Sequence, residues 1–224
     1  MPARFLNEAE HQSLDEFPAT IEAQDVITHF FLSPRDREEI ALQRGEANRL
    51  GFALLLCGLR YLGFFPNHPP SAPANAVGYL AEQLKLDATA LDTYGQRGQT
   101  RREHQQWIMR YLGFRWLEVA DETLMLEWLS QRALENPRPS VLLQQASERL
   151  YKQRIVRPAI STIELWITGA RQAADDYTYL VLASHLDEPH RQSLDRLLTP
   201  DANRGESLLN WLRRAARGYN AEDI

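Results

Sequence analysis

Apolar residues recur three or four positions apart along nearly the whole chain, and no stretch shows the strict apolar–polar alternation that is typical of a strand. Glycines and prolines, which interrupt helices, separate the periodic segments. This pattern predicts an all-α fold of two or three small helical bundles in series, with helix-turn-helix-like elements.

A central helix is predicted over residues 46–62, where apolar residues surround most of the circumference. A helix that is apolar on nearly all sides lies inside a protein. Gly51 and Gly58 are seven residues apart on one face of this helix, so a neighbouring helix can approach it closely there. Leu56 and Cys57 lie in the middle of the helix, and we expect both side chains to be buried.

Two proline-containing breaks suggest a division into domains. Residues 64–75 contain four prolines, which rules out a regular helix there, and residues 136–139 form a second break. The predicted organisation is an N-terminal bundle at 1–66, a Pro-rich linker at 67–75, a second helical DNA-binding bundle at 76–136, and a C-terminal helical segment at 137–224 whose tail frays. The alternative is that the Pro-rich stretch is a long surface loop inside one domain.

The charge of the chain is distributed unevenly. The net charge of the 224 residues is −5, which by itself disfavours contact with nucleic acid. Residues 1–43 carry nine acids and three arginines, however, whereas residues 44–118 carry nine bases and six acids. Of the 25 basic residues 23 are arginine, which suits contacts with phosphate and guanine but is also what a GC-rich genome encodes. The middle of the chain is therefore the predicted DNA-binding part.

The residue patterns of catalytic sites are missing from the sequence. Cys57 is the single cysteine and lies in an apolar helix, where a thiol is unreactive. No two of the six histidines have the i, i+4 spacing of a metal-binding helix, and neither a Gly-rich phosphate loop nor a nucleophile elbow occurs. We therefore predict no catalytic centre, no metal and no cofactor.

Cellular location follows from three simple features. The first residues lack the apolar segment of a secretion signal, and the longest apolar run is far shorter than the roughly 20 residues that span a bilayer. A single cysteine also suits a reducing compartment. A soluble, cytoplasmic protein without membrane contact is expected.

The first basic cluster lies where the central helix is predicted to begin. Arg44, Asn48 and Arg49 lie around the turn at Gly45. A helix, a glycine turn and a second helix form the outline of a helix-turn-helix reader, whose second helix presents its first turn to the bases. Amides at a helix start also attract phosphate. Alternatively, the two arginines pair with carboxylates of the same two helices.

The second basic cluster lies at the start of another predicted helix. Its members are Arg97, Thr100, Arg101, Arg102, His104, Gln105 and Arg110. Thr100 and Glu103 have the spacing of a capping box, which predicts a helix start at Thr100. Arginine and glutamine recognise guanine and adenine in the major groove. Two rings of this helix, Trp107 and Tyr111, are expected to pack in the core rather than to stack on bases.

Three stretches resemble the N-terminal region of the Tn-three family of replicative, cointegrate-forming bacterial transposases. They are RGEANRLGFALLLCGLRYLG at 44–63, TRREHQQWIMRYLGFR at 100–115 and RPSVLLQQASERLYKQRIVRPA at 138–159. The third stretch adds Arg138, Arg154 and Arg157 to the candidate DNA-binding residues. The resemblance extends over nearly all of residues 4–200.

The resemblance implies a function in DNA transposition. In that family the N-terminal helical modules bind the terminal inverted repeats of the transposon, and a nuclease core with Asp-Asp-Glu metal ligands lies several hundred residues further on. The chain is therefore expected to be a truncated, non-catalytic part of a transposase that binds double-stranded DNA sequence-specifically at the inverted repeats. The alternative is a helical protein-interaction or regulatory fragment that modulates a full-length transposase, or pairs with itself as a homodimer, without catalysis.

Overall fold

The computed structural model describes residues 5–95, 98–200 and 205–217. Its α-helices are α1 (Glu8–Leu14), α2 (Ala23–Phe30), α3 (Pro34–Ala41), α4 (Glu46–Leu62), α5 (Ala74–Leu84), α6 (Gly98–Leu112), α7 (Val119–Glu135), α8 (Pro139–Lys152), α9 (Ile160–Ser184), α10 (Glu188–Leu198) and α11 (Leu208–Arg217). Short 3₁₀ helices occupy Pro69–Ser71 and Ala88–Thr93. Because no strand occurs in these three ranges, the predicted all-α fold is confirmed. None of the helices named is long and apolar enough to cross a membrane.

Side-chain caps fix the starts of the first and third helices. The Ser33 hydroxyl accepts a hydrogen bond from the Asp36 amide, and the Asp36 carboxylate accepts one from the Ser33 amide. Pro34 occupies the first position of α3, which suits its fixed φ. Asn7 and Glu10 cap α1 in the same reciprocal way. Local sequence alone therefore determines where these two helices begin.

Helix α4 is the centre of the larger of two cores. Every residue from Leu50 to Leu59 is buried. The Tyr94 ring packs against Gly51, and the Phe17 ring packs against Gly58. The prediction of a buried central helix is therefore confirmed, but the close neighbours at the two glycines are side chains from outside the α-helices and not a neighbouring helix.

The core around α4 joins helices from both sides of the Pro-rich stretch. Helices α2, α3, α5 and α6 all pack against α4. The buried residues of this core run from Phe17 to Val156 and include Phe65, which lies next to the first proline of the stretch. The chain divides into two compact units, one up to Ala174 and one from Asp175, and the Pro-rich stretch lies inside the first unit.

A second core lies in the same unit, where α7, α8 and the first part of α9 meet. Its buried residues include Leu129, Leu150 and Trp166. The Glu164 carboxylate accepts hydrogen bonds from the Phe5 and Leu6 amides, at 2.7 and 2.9 Å. The first described residues of the chain are thereby held against α9.

The second unit contains the end of α9 with α10 and α11. Helices α10 and α11 pack against each other. No residue of α10 is buried, and the side chains of Leu194 and Leu198 are exposed. This unit therefore presents large apolar side chains at its surface.

Candidate nucleic-acid interface

The turn before α4 is held by two of the side chains predicted to bind DNA. The Asn48 amide donates to the Arg44 carbonyl at 2.9 Å, and Arg49 Nε donates to the Gln43 carbonyl at 3.1 Å. Arg44 and Arg49 are exposed, and neither forms an ion pair with the described part of the chain. Since Leu50–Leu59 are all buried, α4 cannot lie along a groove as a recognition helix, and at its N-terminal end only the first turn is accessible.

An ion pair between Asp36 and Arg60, near the C-terminal end of α4, joins α3, α4 and α6. The Asp36 carboxylate is 1% exposed and accepts hydrogen bonds from the Arg60 guanidinium at 2.5 and 3.1 Å and from the Tyr111 hydroxyl at 2.8 Å. Burial alone would raise the pKa of Asp36, but the hydrogen bonds from Arg60, Ser33 and Tyr111 outweigh it and lower the pKa to about 2. Asp36 is thus a fixed anion that sets the positions of the three helices.

The start of α6 differs from the prediction. The helix includes Gly98, so Thr100 is its third residue and does not cap it. Glu103 accepts a hydrogen bond from the Gln99 side chain at 2.9 Å instead of completing a capping box. The capping-box prediction was wrong because the chain becomes helical two residues earlier. Arg97 lies outside the described residues.

Arg101 is engaged inside the protein. Its guanidinium donates to the carbonyls of Asn67 and Pro66, at 2.6 and 2.5 Å, and so fastens the Pro-rich stretch to α6. The Arg101 side chain is half-buried, and its Nε is buried without a hydrogen-bond partner in the described chain. In this structure Arg101 therefore holds a loop.

His104 belongs to the core. It is 5% exposed, its Nδ1 lies 2.9 Å from the Tyr94 hydroxyl, and the Phe52 ring meets its edge. Burial lowers the pKa of His104, with an opposing influence from Glu103, so the ring is neutral. The structure gives no support to the prediction that His104 contacts DNA, because a side chain that is 5% exposed offers little surface to a phosphate or a base.

A row of exposed polar side chains lies on the opposite side of α6. Arg102, Gln106 and Arg110 are exposed and follow one another four residues apart, so they share a face. Arg102 forms no hydrogen bond or ion pair with the described residues, and Arg110 uses only Nε, in a 3.4 Å bond to the Gln106 carbonyl. Gln105 is half-buried beside this row.

Two rings attach α6 to the acidic helix α3. Trp107 Nε1 donates to the Glu39 carboxylate at 2.7 Å, and both Trp107 and Tyr111 pack against the core, as expected. The Arg35 guanidinium lies over the Tyr111 ring, 5.3 Å from its centroid. Arg35 and Arg110 share the rim of an open hollow of about 470 Å³. We call the surface of Arg35, Arg102, Gln106 and Arg110 the α6 surface.

Two members of this surface were missed from the sequence. Arg35 lies in the acidic N-terminal stretch, and its contact with Tyr111 joins residues that are far apart in the chain. Gln106 was overlooked although the i, i+4, i+8 spacing of Arg102, Gln106 and Arg110 is visible in the sequence. That spacing is the signal that predicts the exposed face.

Arg157 lies inside the first unit. It is 8% exposed, donates to the Leu14 carbonyl at 2.7 Å and to the Asp15 carboxylate at 3.0 Å, and lies 3.9 Å from the centroid of the Phe64 ring. Burial lowers the pKa of Arg157, and the ion pair with Asp15 opposes this effect. The structure gives no support to the prediction that Arg157 binds DNA, because its guanidinium is buried and bonded to Leu14 and Asp15.

The two remaining candidates from the third stretch lie at opposite ends of α8 and are exposed. Arg138 immediately precedes the helix. Arg154 follows it with φ of 56°, and its guanidinium lies 5.2 Å from the centroid of the Phe114 ring. The exposed arginines among the described candidates are therefore Arg44, Arg49, Arg102, Arg110, Arg138 and Arg154.

The family of the domain of unknown function DUF4158 matches residues 5–170. Similar curated proteins include the transposases of transposon Tn501 from Pseudomonas aeruginosa (33% identity), transposon Tn3926 from Escherichia coli (36%) and transposon Tn1546 from Enterococcus faecium (31%). The matches cover 100%, 100% and 83% of this chain but only 23%, 22% and 19% of the relatives, so the chain spans less than a quarter of their length. The chain belongs to the DUF4158 family and is related to one part of the transposases of the Tn-three family.

Proposed function

We propose that this chain is the DNA-binding part of a transposase, takes part in DNA transposition, and recognises the terminal inverted repeats of the transposon. The observation that carries the proposal is the exposed row on α6. Arg102 and Arg110 lie on one face and have no carboxylate partner in the described chain. Unpaired guanidiniums bind phosphate in bidentate fashion, and phosphate contacts supply most of the affinity of such proteins for DNA.

The spacing of this row suits a duplex. Eight residues of α-helix rise about 12 Å, which is close to the roughly 12 Å width of the major groove. Arg102 and Arg110 can therefore contact the phosphates that border the groove. Gln106 lies between them, and a glutamine there can donate to and accept from an adenine edge. In this arrangement the arginines position the helix and Gln106 contributes sequence preference.

The two carboxylates nearest to this row on α3 and α6 form no ion pair with its arginines. Glu39 accepts the Trp107 indole hydrogen, and Glu103 accepts a hydrogen bond from Gln99. Arg35 adds a further cation beside Arg110 at the hollow. Because nine acids and three bases in residues 1–43 give −6 whereas nine bases and six acids in residues 44–118 give +3, a net charge of −5 is compatible with a local positive surface.

The test is fluorescence anisotropy with a duplex that carries the terminal inverted repeat of the element encoding the chain, against a scrambled duplex of the same composition. Wild-type chain is expected to prefer the repeat, with affinity that falls steeply as salt rises. The double variant Arg102→Gln with Arg110→Gln should lose about 1.8 from the log–log salt slope, at about 0.9 for each phosphate contact. Arg196→Gln, which removes one exposed charge on α10, is the control and should change little.

Equal, negligible binding of both duplexes by the wild-type chain would overturn the proposal. Preference for the repeat that survives in the double variant would leave DNA binding in place but move it away from α6. Circular dichroism melting of each variant separates loss of contact from loss of fold. Since Arg102 and Arg110 are exposed, unchanged melting temperatures are expected.

A regulatory function through protein contacts is the second candidate. The observation in its favour is the second unit, where Leu194 and Leu198 are 48% and 60% exposed on a helix without buried residues. Such a face would suit assembly with a second chain or with a full-length transposase. Analytical ultracentrifugation tests it: a concentration-dependent dimer that Leu194→Lys with Leu198→Lys abolishes would favour assembly, and a monomer at all concentrations would argue against self-assembly.

A further inference from the structure

A second cationic hollow lies between α7 and α8, away from the residues discussed so far. It has a volume of about 370 Å³ and is lined by Trp128, by the three cations Arg132, Arg149 and Lys152, and by Glu148 with two glutamines. The guanidiniums of Arg132 and Arg149 both lie over the Trp128 indole, 5.7 and 4.8 Å from its centroid. One ring thus holds two cations from two helices at the same opening.

We propose that this α7–α8 hollow is a second contact for duplex DNA, in which Arg132, Arg149 and Lys152 bind backbone phosphates. The inference rests on the proposed function, since it adds a surface to the same DNA complex. The indole limits the motion of both guanidiniums, so less conformational entropy is lost when they bind an oxyanion. Guanidiniums bind phosphate oxygens in pairs, and the ammonium group of Lys152 adds a further cation at the rim.

The ion pairs that these cations form inside the protein are weak. Arg132 meets Glu135 at 2.9 Å and Lys152 meets Glu148 at 3.8 Å, and in both pairs the two side chains are at least 39% exposed. Exposed ion pairs contribute roughly 0–1 kcal/mol, so a phosphate can displace them. Arg149 has no carboxylate partner in the described chain.

The surface continues towards the end of α8. Arg149, Lys152 and Arg154 follow one another within six residues, and Arg154 is exposed. A row of this kind suits an extended polyanion more than a small molecule, which would need an enclosed pocket. Among polyanions, duplex DNA is favoured because the chain is related to transposases along its whole length.

The experiment measures the salt dependence of binding to inverted-repeat duplex for five chains: wild type, Arg132→Gln with Arg149→Gln, Glu135→Gln with Glu148→Gln, Arg102→Gln with Arg110→Gln, and Arg196→Gln. The first double variant should bind about tenfold to a hundredfold more weakly, with a salt slope lower by about 1.8, while Arg196→Gln matches wild type. Glu135→Gln with Glu148→Gln removes the competing carboxylates and should strengthen binding severalfold. Because stronger binding by the glutamate variant is a separate expectation, the proposal can still be tested if the arginine variant fails to fold.

The outcomes separate the two proposals. If wild type binds DNA and neither the arginine nor the glutamate variants of the α7–α8 hollow change affinity or slope, the hollow is no DNA contact and the α6 proposal stands. If wild type binds no DNA, both proposals fall. If Arg132→Gln with Arg149→Gln abolishes binding of an acidic peptide of matched charge but leaves the affinity for the duplex unchanged, the hollow is a protein site and the inference is overturned.

Discussion

The ring of Tyr94 lies directly against the backbone of Gly51, where no side chain intervenes between the ring and α4. The same tyrosine is bonded through its hydroxyl to Nδ1 of His104 at 2.9 Å, and its ring stacks on the histidine ring. Tyr94 therefore connects α4 to α6. This contact requires a glycine at position 51, because a Cβ there would overlap the ring.

Gly51→Ala is therefore expected to destabilise the protein by about 1–3 kcal/mol, the usual cost of overpacking a core. The ring cannot move away without breaking its bond to His104. Urea denaturation followed by circular dichroism measures the change in the free energy of unfolding.

Gly78→Ala is the matched control, because Gly78 lies in α5 and has open space where a Cβ would stand. There the better helix propensity of alanine should stabilise the fold by about 0.5–1 kcal/mol. Opposite signs for the two substitutions are the expected result. A Gly51→Ala chain as stable as wild type would mean that the contact with Tyr94 is loose.

The ion pair of Asp36 and Arg60 predicts a loss of stability in acid. The pKa of Asp36 in the folded chain is about 2, below its ordinary value of 3.8, so the folded state favours the carboxylate. Its contribution is fully present above pH 3.8 and is lost as the pH falls from 3.8 to about 2. Asp36→Asn should cost about 2 kcal/mol at pH 7 and flatten the pH dependence of stability in this range.

Urea midpoints from pH 2 to pH 7 measure this effect, with Asp92→Asn, an exposed aspartate in the 3₁₀ helix Ala88–Thr93, as the control. The control should follow the wild-type curve. If Asp36→Asn keeps the full acid sensitivity, other carboxylates are responsible for it.

The hydrogen bonds of Glu164 lead to a prediction about what holds residues 5 and 6 in place. One carboxylate oxygen accepts both the Phe5 and Leu6 amides, and the other meets Nε2 of His11 at 2.8 Å. Glu164→Ala should release residues 5 and 6, with faster amide exchange there and a loss of about 1–3 kcal/mol from unpaired polar groups. Glu164→Gln keeps an acceptor oxygen and should retain most of the protection. Equal protection in wild type and Glu164→Ala would show that packing alone holds the segment.

Local sequence signals predicted those helices that are determined by residues close to them in the chain. Helix α4 was predictable because its apolar residues cover nearly all sides and glycines with positive φ, Gly45 and Gly63, bound it. The start of α6 was not predictable in this way. Glu103 accepts a hydrogen bond from the Gln99 side chain within the helix, and a sequence with capping-box spacing is compatible with this bond as well as with a capping box. The Pro-rich stretch was correctly predicted to break the helices, but its attachment to Arg101 depends on residues 34 and 35 positions away.

The candidate site could be predicted only in part, because sequence does not reveal which cations already have partners. Arg157 bonds Leu14 and Asp15, more than 140 positions earlier in the chain, and nothing near Arg157 signals this. His104 is buried because α6 turns it towards Phe52 and Tyr94. Arg102, in contrast, was predictable as exposed once the apolar face of α6 was assigned to Ile108 and its neighbours.

The adjacent arginines Arg101 and Arg102 provide a test that separates structure from DNA contact. Arg101 donates to two carbonyls of the Pro-rich stretch, whereas Arg102 is exposed and has no partner in the described part of the chain. Arg101→Met should therefore lower the free energy of unfolding by about 1.5–3 kcal/mol, as expected for hydrogen bonds to a charged group. Arg102→Met should leave stability within about 0.5 kcal/mol of wild type and weaken binding to inverted-repeat duplex. Both variants remove one charge and one guanidinium from neighbouring positions, so a nonspecific charge effect would weaken binding equally.

Thermal melting and fluorescence anisotropy on the same samples measure stability and DNA affinity. Reduced stability in Arg102→Met with unchanged DNA affinity would contradict the assignment of α6 as the DNA-binding helix.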